Sequence, residues 1–425
     1  MSDDKVISFT PPGQIDDPLT EVLRAGARQL LEQAVEAELE AFLAAYADLK
    51  TEDGRQRLVR HGHGPERTVL TGIGSVPVRR AKARDRGATS DDDRIRFTSN
   101  ILPRFARRTR SLDAVLPVLY LRGLSSGDFQ EALTALMGER AAALSPQVLG
   151  RLKADWKGDY ERWQQRDLSG RSYVYLWADG VHLQGRMEDE HQCILVLIGA
   201  TAEGHKELVG FQAGFRESAQ SWRELLADLK GRGLTSAPQL AIGDGAMGFW
   251  KALDEVFPGA RQQRCWVHKT ANVLNKLPKS RQKQAKADVQ AIWMADSRAD
   301  AERALATFEA KYGAKYPGAV GCLTKDRDAL LAFYDFPAEQ WQHIRTTNPI
   351  ESVFATVRHR TVRTKGCMSH ATAMTMVFKL VTAASRTWRR LSGKNQLPKV
   401  VYGVKFRDGI EATDDAATIN ATAAA

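Results

Sequence analysis

From Arg171 onward the apolar residues change period, and that change limits the chain to a small set of folds. RSYVYLWA is apolar and aromatic over the length of one strand. GRMEDEHQCILVLIGATAEGHKELVGFQAGF holds two more strands with turns between them. SAQSWRELLADLKGRG then takes helical spacing, PQLAIGDG is a short buried strand, AMGFWKALDEVF is a helix, and ARQQRCWVHK reads as a strand. Three strands, a helix, a strand, a helix and a strand require a mixed sheet with helices on its faces.

That order is the order of a ribonuclease H-like α/β fold. Residues 169–269 form the first part of such a catalytic core, and 346–407 supply its final helices. Residues 270–345, helical in pattern and rich in Lys and Arg, form an α-helical insertion between them. A mostly helical region precedes the core. In residues 1–97 a long helix is expected over 19–49, with Leu23, Leu30, Leu31, Leu39, Phe42 and Tyr46 near helical spacing. Two strands around Gly72 and Gly74 follow, the second carrying Arg79, Arg80, Lys82, Arg84 and Arg86, and GATSDDDRIR (87–96) looks like a linker. Residues 98–168 hold three helices within 111–157. Ser145 followed by Pro146 starts the third, since Ser accepts an orphan N–H and Pro loses nothing in a first turn. Residues 408–425 end in a low-complexity tail expected to be disordered.

Lys and Arg number 61 against 51 Asp and Glu, a formal charge of +10. A basic chain attracts polyanions, of which nucleic acid is the commonest, although a basic enzyme of another kind has the same balance. Short helices with tight turns suit a helix-turn-helix, whose third helix would offer Gln147, Arg151, Lys153 and Lys157 to DNA, with Arg79, Arg80 and Lys82 on the basic strand. No stretch has the roughly 18 apolar residues of a membrane span. The opening MSDDKVISFTPPGQ lacks the apolar core of a secretion signal. Four separated cysteines give no disulfide framework, so a cytoplasmic setting on the nucleoid is expected.

Three acids stand out. Asp179 follows YVYLWA and Asp244 follows PQLAIG. Each has an ordinary use: Asp-Gly makes hairpin turns, and Asp before a helix caps it. Together they say more. If the two strands are parallel neighbours, both carboxylates converge where open α/β sheets bind ligands. Glu351 lies in TTNPIESVFATVRHRT, where Asn348 can cap a helix, Pro349 takes its first turn and Glu351 completes a capping box. Alternatively it is a third carboxylate, its helix docked through Ile350, Val353, Phe354 and Val357, with Arg358 on the same face to hold a phosphate. Three carboxylates suit Mg²⁺ or Mn²⁺, and two such ions about 3.5–4 Å apart activate one oxygen and stabilise another in phosphoryl transfer. Cys265 and His268 form a single C-x-x-H, which gives zinc only two ligands. A buried cysteine and a hydrogen-bonded histidine supporting the acids are expected, without zinc.

WADGVHLQGR, AIGDGAMGFWKALDEVFPGARQQRCWVHK and TTNPIESVFATVRHRT, with LPVLYLRGLSSGDFQEAL upstream, resemble the Mutator-type bacterial insertion-sequence transposases over roughly residues 15–405. The resemblance implies a catalytic triad and metal ligands at Asp179, Asp244 and Glu351. It assigns Cys265 and His268 to a motif after the second aspartate, and Arg358 to the basic residue after the glutamate. It also implies action on short terminal inverted repeats of double-stranded DNA, two divalent ions, strand cleavage and strand transfer, and circular transposon intermediates. A homodimer or larger homo-oligomer is expected. Gly180 and His182 depart from the family pattern, which bears on the packing behind Asp179. The competing readings are a ribonuclease H-like nuclease and a domesticated DNA-binding protein without strand transfer.

Overall fold

The computed structural model describes residues 18–109, 112, 146–182, 192–215, 217–245, 247–351, 354 and 370–412. The first two helices expected between 111 and 144, Arg358, and the tail beyond 412 lie outside them. The chain forms two compact units, residues 1–152 and 153–425.

In the first unit, helix α1 (Pro18–Ala45) packs on a hairpin of β1 (Leu58–Thr71) and β2 (Gly74–Asp85). Val35 and Leu39 of α1 meet Val69, Val76, Val78 and Ala81 of the hairpin, with Leu102 closing the cluster. Thr71 pairs with Gly74, so the turn is the expected one around Gly72, and Gly74 takes φ +100°, a region open to glycine. Strand β1 starts at Leu58, well before the expected strand. Most of its first half is exposed, so no apolar alternation marks it, and backbone pairing with β2 holds it. Leu23 and Leu30, expected on the apolar stripe of α1, are exposed instead. The 87–96 segment is irregular but tethered: Asp85 takes two hydrogen bonds from Arg57 and one each from the Gly87 and Ile95 N–H groups.

Helix α2 (Pro146–Gln164) begins at Pro146, as the Ser-Pro start predicts. The second unit is built on a five-stranded sheet ordered β5-β4-β3-β6-β7. Its strands are β3 (Tyr175–His182), β4 (Gln192–Ala200), β5 (Lys206–Phe215), β6 (Leu240–Gly243) and β7 (Arg261–Arg264). β3, β4 and β5 pair antiparallel, whereas β6 runs parallel to both β3 and β7. Helix α3 (Ala219–Gly231) and helix α4 (Met247–Val256) make the β5-to-β6 and β6-to-β7 connections. They cover one face, where Leu176, Ala178, Leu195 and Leu197 meet Trp222, Leu225, Phe249 and Leu253. Burying each of these large side chains contributes roughly 1.5–3 kcal/mol.

One element differs from expectation. β7 ends at Arg264, and α5 (Trp266–Leu274) begins inside the stretch RCWVHK. Trp266, Lys269 and Val273 are buried at helical spacing while Val267 is 45% exposed. A short apolar run fits either period, and here tertiary packing chose the helix. Helices α6 (Lys279–Trp293), α7 (Arg298–Tyr312), α8 (Pro317–Thr324) and α9 (Arg327–Leu331) follow. Residues 332–347 then cross the second face of the sheet. Phe336 packs on Tyr175, Gln340 accepts from the Tyr175 hydroxyl, and the His343 carbonyl accepts from Trp177 Nε1 at 3.0 Å. Helix α10 (His370–Ser385) covers the β5 end, where Phe378 packs on Phe211. Among the described residues no helix is long and apolar enough to cross a membrane.

The packing of α1 separates two leucines. Leu39→Ala should lower the stability of the first unit by about 2–5 kcal/mol, because it opens a cavity in a closed cluster. Leu30→Ala, at a position 67% exposed, should change it by no more than about 0.5 kcal/mol. Thermal unfolding of the full chain, followed with hydrogen exchange in α1, measures both.

Candidate active site at the ends of two parallel strands

Tyr175, Leu176 and Trp177 of β3 lie opposite Leu240, Ala241 and Ile242 of β6. Asp179 and Asp244 each stand two positions past the last pair, Trp177 and Ile242. Side chains alternate along a strand, so Asp179 shares the face of Trp177, away from the apolar layer under α3 and α4. The strands are parallel neighbours, which is the condition the sequence reading set for the two aspartates to converge. Asp179 is not in a turn: it pairs with Val196 inside β3, and its Oδ1 accepts the Gly180 N–H at 2.9 Å. The Asp244 carbonyl is fixed by Trp250 Nε1 at 2.9 Å and by Arg264 at 2.8 Å, and the Arg264 guanidinium stacks on Trp250.

Glu351 reaches this edge from far along the chain. The 343–347 segment is stitched to the sheet: Trp177 binds the His343 carbonyl, the Trp266 N–H binds the Arg345 carbonyl at 3.0 Å, and the Thr347 N–H meets Cys265 Sγ at 3.3 Å. A helical turn over 348–351 follows, with Ile350 and Phe354 buried as expected. The capping box does not form as the sequence suggested. Thr347, not Asn348, precedes the turn: its carbonyl accepts the Glu351 N–H at 3.0 Å, and its hydroxyl binds Glu351 Oε1 at 2.8 Å.

Cys265 is buried and His268 half-buried. Among the described residues, the metal-capable atoms that lie within 4.8 Å of one another are those of Cys265, His268 and Glu351. The three acids do not form so tight a group. His268 connects the two sets, because it lies 3.9 Å from Glu351 Oε1 and the charges of Asp179 and Asp244 act on it. Desolvation, with the charges of Asp244 and Glu217 added, pushes the Asp179 carboxyl up to about 7, against the opposing pull of His268. A hydrogen bond to Cys265, then the charges around it, raise His268 to about 9.

The sequence matches the family described as Transposase, Mutator family, over residues 13–390. The chain belongs to the Mutator family of transposases. It is 56% identical over 290 residues to the transposase for insertion sequence element IST2 of Acidithiobacillus ferrooxidans, covering 67% of this chain and 96% of that protein. It is 51% identical over 298 residues to the transposase for insertion sequence element IS6120 of Mycolicibacterium smegmatis, covering 70% and 92%. The transposase for insertion sequence element ISRM5 of Rhizobium meliloti is 27% identical over 372 residues.

The other residues singled out in this family member fall elsewhere. Arg151, Lys153 and Lys157 are exposed on α2, and Lys157 pairs with Glu161 at 3.7 Å. Gln147 is on the same helix. Arg79, Arg80 and Lys82 are on β2, where Arg79 pairs with Glu66 at 3.4 Å. Two residues at the site escaped the sequence reading. One is Thr347. The other is Glu217, which precedes α3 with φ +50°, a strained conformation for a side-chain-bearing residue. A Cβ on Gly180 would stand 2.1 Å from Glu217 Oε1, and one on Gly248 would stand 2.3 Å from the Glu217 carbonyl. The departure noted at Gly180 therefore has a physical reason: the missing side chain makes room for a carboxylate. Only that glycine hinted at it.

Both shifted groups make the metal-free chain lose stability as pH rises. The folded state holds Asp179 protonated above its unfolded value, so its contribution is complete below about pH 4 and disappears as pH passes about 7. The charged His268 contributes fully below about pH 6.5 and no longer above about pH 9. Asp179→Asn should therefore raise the melting temperature of the metal-free protein at pH 8 and flatten its fall between pH 5 and 8. Scanning calorimetry in chelator across that range measures both effects, and an unchanged slope would remove Asp179 as their source.

Proposed function

We propose that this chain is a DNA transposase that cuts the ends of an insertion sequence and joins them to target DNA. Its catalytic domain is ribonuclease H-like, and Asp179, Asp244 and Glu351 hold two Mg²⁺ or Mn²⁺ ions. The observation that carries this reading is the matched position of Asp179 and Asp244, each two residues past the last parallel pair of β3 and β6, in a member of the Mutator family. The donors fit the metal, since all are carboxylate oxygens and both ions prefer hard oxygen ligands. The environment fits too: a carboxyl pushed up to about 7 by desolvation and neighbouring acids returns to its charged form beside a divalent cation. When bound, the ions supply Lewis acidity to the attacking and leaving oxygens of an in-line phosphoryl transfer.

The chain's own groups do the rest. The rigid strands fix Asp179 and Asp244, and the 343–347 segment delivers Glu351 to the same edge. His268, cationic at neutral pH, is suited to pairing with a DNA phosphate oxygen. Arg80 and Lys82 of β2, with Lys153 and Lys157 of α2, hold the DNA backbone, and Gln147 and Arg151 in the first turns of α2 read bases. Arg358 holds a phosphate beside Glu351. Two or more copies act together on the paired ends.

The test uses purified protein, Mg²⁺ and a labelled fragment carrying the element's terminal inverted repeat. Asp179→Asn, Asp244→Asn and Glu351→Gln should each lower strand cleavage by several powers of ten while end binding survives, because each removes a charged ligand from a nearly isosteric side chain. Wild-type cleavage by any one of them takes that residue out of the site. For DNA binding, Arg80→Ala or Lys82→Ala should weaken all DNA alike and reduce the salt slope by about 1. Arg151→Ala should instead relax the choice of sequence. Equal loss for end and random DNA in the Arg151 variant would place specificity elsewhere.

A further inference from the structure

Cys265 has no role of its own among three carboxylates and two ions, yet the start of α5 brings the C-x-x-H pair to Glu351. The connection runs through one hydroxyl. Thr347 Oγ1 lies 2.8 Å from Glu351 Oε1, 3.3 Å from Cys265 Sγ and 3.4 Å from His268 Nδ1. Thr347 is fully buried, and so is Cys265. We propose that Thr347 is the positioning residue for Glu351, and that Cys265 and His268 act on the active site by holding its hydroxyl. This rests on the reading of Glu351 as a metal ligand.

The proton count supports the arrangement. A threonine hydroxyl has one hydrogen and two lone pairs. An ionised carboxylate only accepts, so the hydroxyl hydrogen goes to Glu351, its shortest contact. Cys265 Sγ and His268 Nδ1 are the other two neighbours of the same oxygen, at 3.3 and 3.4 Å. The Cys265 sulfur in turn accepts the Thr347 N–H at 3.3 Å, which fixes the backbone from which the hydroxyl projects. Without the hydroxyl, the Glu351 carboxylate keeps, among the described residues, a 3.9 Å approach to His268, beyond hydrogen-bond range.

The same distances argue against a metal ion among Cys265, His268 and Glu351. An ion there would need about 2.0–2.3 Å to each ligand atom. The three atoms instead share the Thr347 oxygen as a neighbour at 2.8–3.4 Å. The cluster therefore acts as a bracket for one oxygen of the Glu351 carboxylate.

Hydrogen bonds behind a ligating carboxylate commonly change metal affinity or activity by about 10–100-fold when removed. Thr347→Val, which keeps shape and loses the hydroxyl, should raise the Mn²⁺ concentration for half-maximal thermal stabilisation of the full chain about 10–100-fold. It should lower cleavage of the labelled terminal-repeat fragment at low Mn²⁺ by a similar factor, with recovery at high Mn²⁺. Thr347→Ser should restore both towards wild type, and Cys265→Ala should fall between. If valine unfolds the chain, Thr347→Ala against Thr347→Ser makes the same comparison. Equal Mn²⁺ responses with and without the hydroxyl, while Glu351→Gln is inactive, overturn the positioning role and leave the metal reading standing. Wild-type cleavage by Glu351→Gln overturns the metal reading itself. About one zinc per chain in protein purified without chelator, lost in Cys265→Ser, also overturns the proposal, because the cluster would then be a metal site.

Discussion

The parallel pairing of β3 with β6 is the constraint on which the rest of the second unit depends. Side chains alternate faces with period two, so a slip of one residue in either strand would turn its aspartate into the apolar layer under α3 and α4. An unpaired carboxylate there costs several kcal/mol. The burial that stabilises the sheet thus also decides where the acids point. Trp177 extends the same logic to the second face: its ring is buried, and its indole N–H takes the His343 carbonyl, which starts the segment that carries Glu351.

The site is held against its own tendencies. Asp179 is desolvated beside other acids, and Glu217 sits at a positive φ with two glycines making room for it. These features destabilise the folded chain locally, and the rigid layers on both sides of the sheet offset them. Local cost with rigid support is the usual state of a site prepared for a charged ligand. The pairing of Cys265 with Thr347 belongs to the support, since it ties the last residue before the Glu351 turn to the first residue after β7.

The element order of the second unit was legible because β4, β6 and the first half of β3 are apolar runs and α3 and α4 carry clear apolar stripes. The matched placement of Asp179 and Asp244 was legible for the same reason, as each follows a buried apolar run, two residues past the last parallel pair. The start of α5 was not. RCWVHK is too short to show a period, and what makes Trp266 helical is its N–H bond to the Arg345 carbonyl, far along the chain. The first half of β1 was invisible because few of its side chains are buried. Thr347 and Glu217 were invisible for a third reason. Their partners are contacts between distant segments, and a single threonine or glutamate carries no spacing that announces such a contact. The capping-box reading failed at Asn348 because Thr347 had a stronger claim on the same turn.

The position of Glu351 in the chain has a consequence in time. It lies 107 residues after Asp244 (351 − 244), beyond α5 to α9. A ribosome adding about 5–20 residues per second needs roughly 5–20 s to cross that interval. Through all of it the nascent chain holds both aspartates but not yet the glutamate. The stitching of 343–347 to Trp177, Cys265 and Trp266 can close only after this segment emerges. The bonds that fix the turn before Glu351 therefore form late, once residues 343–351 have been made.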